Sequence, residues 1–246
     1  MIGIRGPLLL LLLLCSSQSN ADFSDPKSFH HFFNSRLLAP GESQLSAIGN
    51  FKLGITENLE LGSQLALGLF GVTGVVDHIP NLSIKHLMFG EEWYQTSFNS
   101  HTFFANNTLA EYILSLHGVV TTYDLGGGLQ TNLGFFDFFV QEKVIAGGNE
   151  YTQHTPSIQL GFDWIASPAT AISFVWGQPM YRLVERDTFY SEVQSVIDLA
   201  AFADADDYAF SRLSFNSALA SSYLEVGVMQ LPFYSYWPYL NLWWRW

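Results

Sequence analysis

Apolar and polar residues alternate with a period of two along most of the chain after about residue 44. In Leu59–Phe70, a leucine stands at nearly every second position, with small or polar residues between them. Ser157–Ile165 and Thr170–Gln178 repeat the pattern with larger apolar residues. A period of two separates the faces of a strand, whereas a helix would mix the same positions. The pattern therefore predicts an all-β chain.

Turn-forming residues divide this pattern into twelve segments, an even number that suits an antiparallel barrel with both termini at one end. Gly49-Asn50 can form a hairpin turn or only a bulge, and if it is a bulge and another weak hairpin also fails, the count is ten. The predicted strands are residues 42–49, 50–56, 58–70, 81–90, 93–104, 109–122, 129–146, 155–165, 169–182, 207–217, 220–231 and 236–246.

Bulk composition and loop lengths favour a membrane barrel over a soluble sandwich, which would show the same alternation. Hydrophobic residues make up 48% of the chain and charged residues 13%, against about a quarter charged in soluble domains. Thr56-Glu57-Asn58 and Ala166-Ser167-Pro168 are tight turns, whereas Val72–Pro80 and Leu183–Asp207 are long loops. Short turns on one side and long loops on the other are typical of outer-membrane barrels. Residues 41–246 are thus predicted to form an antiparallel up-and-down transmembrane β-barrel.

The first residues have the pattern of a secretory signal peptide. Arg5 provides a positive charge, Leu8–Leu14 form an apolar run, and Ser19-Asn20-Ala21 offers a small-residue cleavage site. We expect residues 1–21 to be removed after Ala21 and the chain to be exported to the bacterial outer membrane. The alternative is lipidation of Cys15, although the preceding Leu14 is larger than a lipoprotein signal prefers. Residues 22–40 lack alternation and are expected to be a periplasmic lead segment.

The C-terminus resembles the terminal β-signal of Gram-negative outer-membrane barrels. Leu240, Leu242, Trp244 and Trp246 share one strand face, and the chain stops on an aromatic residue. The departures are Trp in place of the usual Phe, and Pro238, which should lie at the strand start or a bulge. The resemblance implies insertion by the barrel-assembly machinery, with outer-membrane lipid as the surrounding partner.

A second resemblance covers Gly41–Gly62. Its last nine residues, GITENLELG, are similar to the strand–turn–strand GLTDNLELG of uncharacterised Gram-negative outer-membrane β-barrel proteins. The central Thr-Glu-Asn residues are turn formers between two apolar-alternating strands. The resemblance implies fold and location, and those proteins carry no activity to transfer.

The formal net charge of −12 argues against a nucleic-acid partner, which needs a basic surface. Charged and polar side chains should instead face the lumen, where they either pair across a narrow barrel or line water in a wider one. The predicted lumen-lining residues are Lys52, Glu60, Gln64, Lys85, Asn99, His101, Glu111, His117, Asp137, Gln159, Asp163, Glu225 and Arg245.

Candidate chemistry is sparse. The seven histidines lack metal-ligand spacing, and the acidic residues Asp204, Asp206 and Asp207 do not follow a calcium-loop pattern. We therefore assign no metal and no cofactor.

Ser115 and His117 share a strand face with Glu111, and enzymes of the outer membrane that cleave lipid use a Ser–His pair on a barrel wall. Side chains two residues apart on a strand are, however, about seven ångströms apart. This face opposes Tyr112 and Leu114, so it is expected to look into the lumen. No catalytic residue is assigned, and the chain is expected not to be an enzyme.

Thr188–Ala200 shows helical spacing of apolar residues and is predicted to be a surface helix within the 183–207 loop. The alternatives are a helix that caps the barrel mouth or one that folds inward as a partial plug. The leading functional hypothesis is a passive channel for a small solute or a structural wall protein. The alternatives are a lipid-modifying enzyme and a surface protein that binds a partner through loop 183–207.

Overall fold

The computed structural model describes residues 23, 31–47, 50–64, 81–106, 110–144, 150–188, 191–198, 209–219, 222–230 and 236–246. In these residues the chain is all-β and contains no helix. The predicted signal peptide, Cys15, the loop 72–80 and the acidic residues at 204–207 lie outside them. The strands are β1 Ser43–Ser46, β2 Asn50–Thr56, β3 Leu59–Gln64, β4 Asn81–Glu91, β5 Tyr94–Asn106, β6 Ala110–Gly126, β7 Leu129–Val144, β8 Glu150–Ser167, β9 Thr170–Pro179, β10 Arg182–Thr188, β11 Ser191–Asp198, β12 Phe210–Leu219, β13 Ser222–Gln230 and β14 Tyr236–Arg245.

Twelve of these strands close into an antiparallel barrel, which confirms the predicted fold class and strand number. Strands β1 to β9 are hydrogen-bonded in chain order, β9 pairs with β12, and β14 returns to pair with β1. β1 and β2 pair as two separate antiparallel strands, so the ten-stranded alternative is wrong.

A β10–β11 hairpin extends the sheet beyond the barrel. β10 pairs with the first residues of β8, with Leu183 opposite His154, whereas β9 pairs with β8 from Ser157 onward. The helix predicted within Thr188–Ala200 is wrong for the described residues of that stretch, because Ser191–Asp198 is strand β11. Its β-branched residues suit a strand, and the ladder with β10 provides the hydrogen bonds that a helix would otherwise make internally.

The two faces of the barrel wall have opposite chemistry. Outward positions carry exposed apolar side chains, such as Phe135 at 50% and Phe215 at 48% exposed, whereas Asn99, Gln159 and Asp163 face inward and are fully buried. A soluble protein places its apolar residues inside, so this arrangement is typical of a wall facing lipid. No helix in the described part of the chain is long and apolar enough to cross a membrane.

The tight turns lie at one end of the barrel, where both β1 and β14 also meet. Glu57–Asn58 join β2 to β3, and Gly127–Gly128 join β6 to β7 with positive φ angles of 62° and 77°. Such angles favour glycine, which has no Cβ to clash. We call this end the short-turn end. β6, β7 and β8 have 17, 16 and 18 residues, more than the roughly 9–11 that cross a bilayer.

Residues 31–38, which we call the lumen segment, run inside the barrel. Asn34, Ser35 and Arg36 are at most 2% exposed. Phe23 lies nearby at the short-turn end, packed against inward-facing Tyr223. The described residues of the predicted periplasmic lead segment, residues 22–40, thus include a stretch that lies against the inner wall of the barrel.

Candidate functional site

The lumen segment is held by side chains from several strands of the inner wall. The ammonium of Lys85 on β4 donates to the carbonyl oxygens of His31 at 2.8 Å and Arg36 at 2.9 Å. Lys85 is 3% exposed. Because a buried charge is costly unless it is well bonded, these two carbonyls are a principal reason that the lysine can lie there.

Further polar side chains satisfy the backbone of the segment from other directions. Asn99 on β5 donates to Phe32 O at 2.5 Å, and Gln159 on β8 donates to Phe33 O at 3.1 Å. In return, Glu60 on β3 accepts from Leu38 N at 3.0 Å, and Thr122 on β6 accepts from Ser35 N at 2.8 Å. A non-repetitive segment has no ladder to bond its backbone, so the wall provides the partners.

His31 and Asp163 form the most specific contact of the segment. His31 Nε2 lies 3.0 and 2.9 Å from the two carboxylate oxygens, while Nδ1 accepts from Phe33 N at 3.2 Å. An Nδ1 acceptor with an Nε2 donor describes the neutral imidazole. Burial lowers the pKa of His31, and the opposing attraction of Asp163 does not reverse this. The segment is thus bonded through an uncharged histidine.

Aromatic contacts fix the remaining side of the segment. Phe33 stacks on Phe210 of β12 with ring centroids 5.4 Å apart, and the ring centroid of Phe32 lies 5.6 Å from that of Phe136 of β7.

Gly54 of β2 lies where the chain leaves the lumen, and a Cβ there would lie 2.7 Å from Leu38 O. The absence of a side chain at residue 54 therefore permits the return of the segment to β1.

A cavity of about 200 Å³ remains between the segment and the wall. The Arg212 guanidinium and Glu225 carboxylate face it 3.2 Å apart, and Tyr239 Oη lies 2.8 Å from the same carboxylate. The cavity thus contains charges of both signs, as expected for a space that holds water or a small polar molecule. Its lining residues are His31, Phe32, Gln44, Ser46, Asn50, Lys52, Ser83, His101, Arg212, Asn216, Glu225, Met229, Tyr239, Asn241 and Trp243.

Most of the predicted lumen residues occupy inward register positions, and three do not. Glu111, His117 and Asp137 share the outward face with exposed Val119 and Phe135, since no register shift separates them. The inward positions are those of Lys52, Glu60, Gln64, Lys85, Asn99, His101, Gln159, Asp163, Glu225 and Arg245.

The exception has a physical cause in strand length. Farther from the short-turn end than Val119, the outward face of β6 is mostly polar and has Ile113 as its apolar member, while the inward face carries Leu114 and Leu116. The prediction placed the polar face inward along the whole strand. β6 has 17 residues, more than the roughly 9–11 of a membrane-crossing strand, so one face need not keep the same polarity along its whole length.

The inverted region brings five polar residues together, which we call the outer-wall cluster: Thr102, Ser115, His117, Asp137 and His154. Ser115 Oγ lies 3.3 Å from His117 Nδ1 and 3.0 Å from Thr102 Oγ1. His117 Nε2 lies 3.7 Å from Asp137 Oδ2, which also bonds His154 Nδ1 at 2.6 Å. The expected seven-ångström separation of serine and histidine is thus wrong, because it ignored how far the side chains lean toward each other.

The C-terminal residues complete the barrel. Leu240, Leu242, Trp244 and Trp246 occupy the outward face of β14, and Pro238 is its third residue. The Trp246 backbone exchanges hydrogen bonds with Ser43, which joins the end of the chain to β1.

No known protein family, curated protein or solved structure was found to match this chain. In the described residues, no group of three or more His, Cys, Asp or Glu is arranged to hold a metal ion.

The sequence patterns did not predict the lumen segment. A usable signal was the stretch from His30 to Ser35, which contains aromatic, histidine and small polar residues and does not alternate.

Proposed function

We propose that the chain is an integral outer-membrane β-barrel that passes small polar solutes only when its lumen segment loosens. The observation that carries this proposal is the set of hydrogen bonds from β3, β4, β5, β6 and β8 to residues 31–38. These bonds place peptide backbone across the space through which a solute would pass. The barrel is therefore a restricted conduit rather than an open pore.

The chemistry of the inner wall supports a polar solute. Arg212 and Glu225 face a cavity beside the segment, and Lys52 lies 3.6 Å from Glu60 on the neighbouring wall. Charges of both signs would favour small neutral or zwitterionic molecules over ions of either sign. The outward band of exposed apolar side chains supports the membrane location, with assembly through the C-terminal strand.

The test compares the whole mature chain with a variant that lacks residues 31–38, after both are refolded in detergent and inserted in planar bilayers. We expect low, rarely opening conductance from the whole chain and a steady, larger conductance from the variant. A heat-modifiable shift on a detergent gel verifies that each barrel is folded. A large conductance from the whole chain, or none from a folded variant, would contradict the proposal, and the second result would favour a structural wall protein.

A further inference from the structure

We propose that the outer-wall cluster is a serine esterase site that hydrolyses acyl esters of membrane lipids. In this cluster, the hydroxyl of Ser115 contacts the imidazole of His117, which in turn contacts the carboxylate of Asp137. The inference rests on the proposed membrane location but not on conduction through the lumen.

The geometry suits nucleophilic catalysis. Ser115 Oγ is within hydrogen-bond reach of His117 Nδ1 at 3.3 Å, so the imidazole can accept the hydroxyl proton during attack. The other ring nitrogen faces Asp137 at 3.7 Å. A carboxylate there orients the ring and stabilises the imidazolium that forms.

The carboxylate is itself held in place from β8. Asp137 Oδ1 accepts from Thr155 N at 2.9 Å, and His154 Nδ1 lies 2.6 Å from Oδ2. The carboxylate is thus fixed on the side facing His117, and His154 is a positioning residue. The Thr102 hydroxyl, 3.0 Å from Ser115 Oγ, is a donor available to the carbonyl oxygen as negative charge develops on it.

The position of the cluster on the barrel indicates the substrate class. His117 and Asp137 are cross-strand partners, and the next outward residues toward the short-turn end are Val119, 37% exposed, and Phe135, 50% exposed. On the far side of the cluster, outward Phe104 is 43% exposed opposite Ile113, and the outward face of β6 becomes charged at Glu111. The cluster therefore lies close to the edge of the apolar band, near the level at which the ester bonds of lipids lie between acyl chains and headgroups. The side chains of His117 and His154 are 37% and 38% exposed, whereas Ser115 is buried. A substrate would therefore approach over the histidines.

The reaction balances without a cofactor. Ser115 Oγ bonds to the ester carbonyl carbon while its proton passes to His117. The bond from that carbon to the alcohol oxygen then breaks, and His117 returns the proton to the departing alcohol. Water, deprotonated by His117, next attacks the acyl-serine, which releases the fatty acid and restores the serine. One ester and one water give one acid and one alcohol.

The experiment measures hydrolysis of a p-nitrophenyl palmitate probe in mixed micelles by the folded whole chain, together with covalent labelling by a fluorophosphonate. We expect turnover and a label on Ser115. Replacement of the nucleophile in Ser115→Ala should abolish the label and lower the rate at least about a hundredfold. Ser100→Ala, on the same face of neighbouring β5, is the matched control and should keep the wild-type rate within about twofold.

A structural role is distinguished from a catalytic one by Asp137→Asn. We expect a lower maximal rate with an unchanged KM and an unchanged heat-modifiable gel shift, because the histidine loses the carboxylate that orients its ring and stabilises the imidazolium. Vesicles of phospholipid and vesicles of lipopolysaccharide, compared by fatty-acid release, identify which lipid is cleaved. No turnover and no label in the folded wild-type chain, or full activity of Ser115→Ala, would overturn the inference. Conductance measured on the same samples leaves the proposed function to be judged separately.

Discussion

Lys85→Met is the sharpest test of how the lumen segment is held. The substitution keeps most of the aliphatic stem and removes the ammonium that donates to His31 O at 2.8 Å and Arg36 O at 2.9 Å. A hydrogen bond to a charged group contributes about 1.5–3 kcal/mol. The two bonds together would contribute about 3–6 kcal/mol. The variant regains part of this because it no longer buries an ammonium, so we expect a net loss of about 3 kcal/mol in the free energy that anchors the segment.

A change of about 3 kcal/mol shifts an equilibrium by somewhat more than a hundredfold. Hydrogen exchange of the Ser35 and Leu38 amides reports this shift directly, since both are bonded to the wall in the closed state. We expect both amides to exchange about a hundredfold faster in Lys85→Met, and liposome swelling in a small sugar to accelerate.

Lys52→Met is the matched control. Lys52 is also a buried lysine of the inner wall, but it lies 3.6 Å from Glu60 rather than on the segment. Its loss should change exchange of the Ser35 amide, which is bonded to Thr122, far less. The Leu38 amide is left out of this comparison because its acceptor is Glu60, the partner of Lys52. If both variants fold and Lys85→Met leaves exchange and swelling at wild-type values, the two carbonyl contacts do not hold the segment and the reasoning is refuted.

Three further outcomes are expected. Asp163→Asn leaves His31 with a neutral partner and should remove about 1–3 kcal/mol of the free energy that anchors the segment, so the segment amides should exchange faster. Unchanged exchange would contradict the role of that contact. Burial lowers the pKa of His31, with smaller contributions from Arg212 and Lys85 and against the attraction of Asp163. The folded state therefore disfavours protonated His31, and anchoring should weaken as pH falls below the ordinary value of about 6.5. Amide exchange, corrected for its intrinsic pH dependence, should show this at pH 5.5 in the wild type but not in His31→Gln. Deleting Trp246 removes its hydrogen bonds to β1 and should reduce the heat-modifiable barrel recovered from membranes; normal recovery would exclude a role in assembly.

The barrel could be predicted because alternate residues of a strand face opposite sides of the barrel wall, and the two sides differ in polarity. Every second residue of Leu59–Gln64 and Ser157–Ile165 belongs to one face, and the strand count followed from the turns between such stretches. The same reasoning failed for β11, where Val193, Val196 and Ile197 satisfy a helical spacing by coincidence. Pairing with β10 decided its structure, and sequence periodicity does not record pairing.

The lumen segment could not be derived from periodicity because it has none. Its backbone is bonded by side chains far along the chain, such as Asp163 and Gln159. The sequence nevertheless predicts many inward polar side chains, and each of them needs a hydrogen-bond donor or acceptor as a partner. Buried polar groups without partners are costly, and a chain segment inserted in the lumen supplies such partners.

β6 contributes to both the lumen segment site and the outer-wall cluster, because its polar side chains face inward near the short-turn end and outward farther along the strand. Near the short-turn end, Thr122 faces inward and bonds the segment, while Val119 faces outward in the apolar band. Farther along the same strand, Ser115 and His117 face outward, and leucines face inward. Beyond the cluster, the outer face carries Phe104 and Ile113 before it becomes charged at Glu111, so the cluster lies close to the edge of the apolar band. In the proposed membrane setting, serine and histidine at this level would meet lipid ester groups, whereas the same pair facing the lumen would meet only solutes. Ser115 faces outward rather than into the lumen as predicted, and the proposed lipid chemistry depends on this orientation.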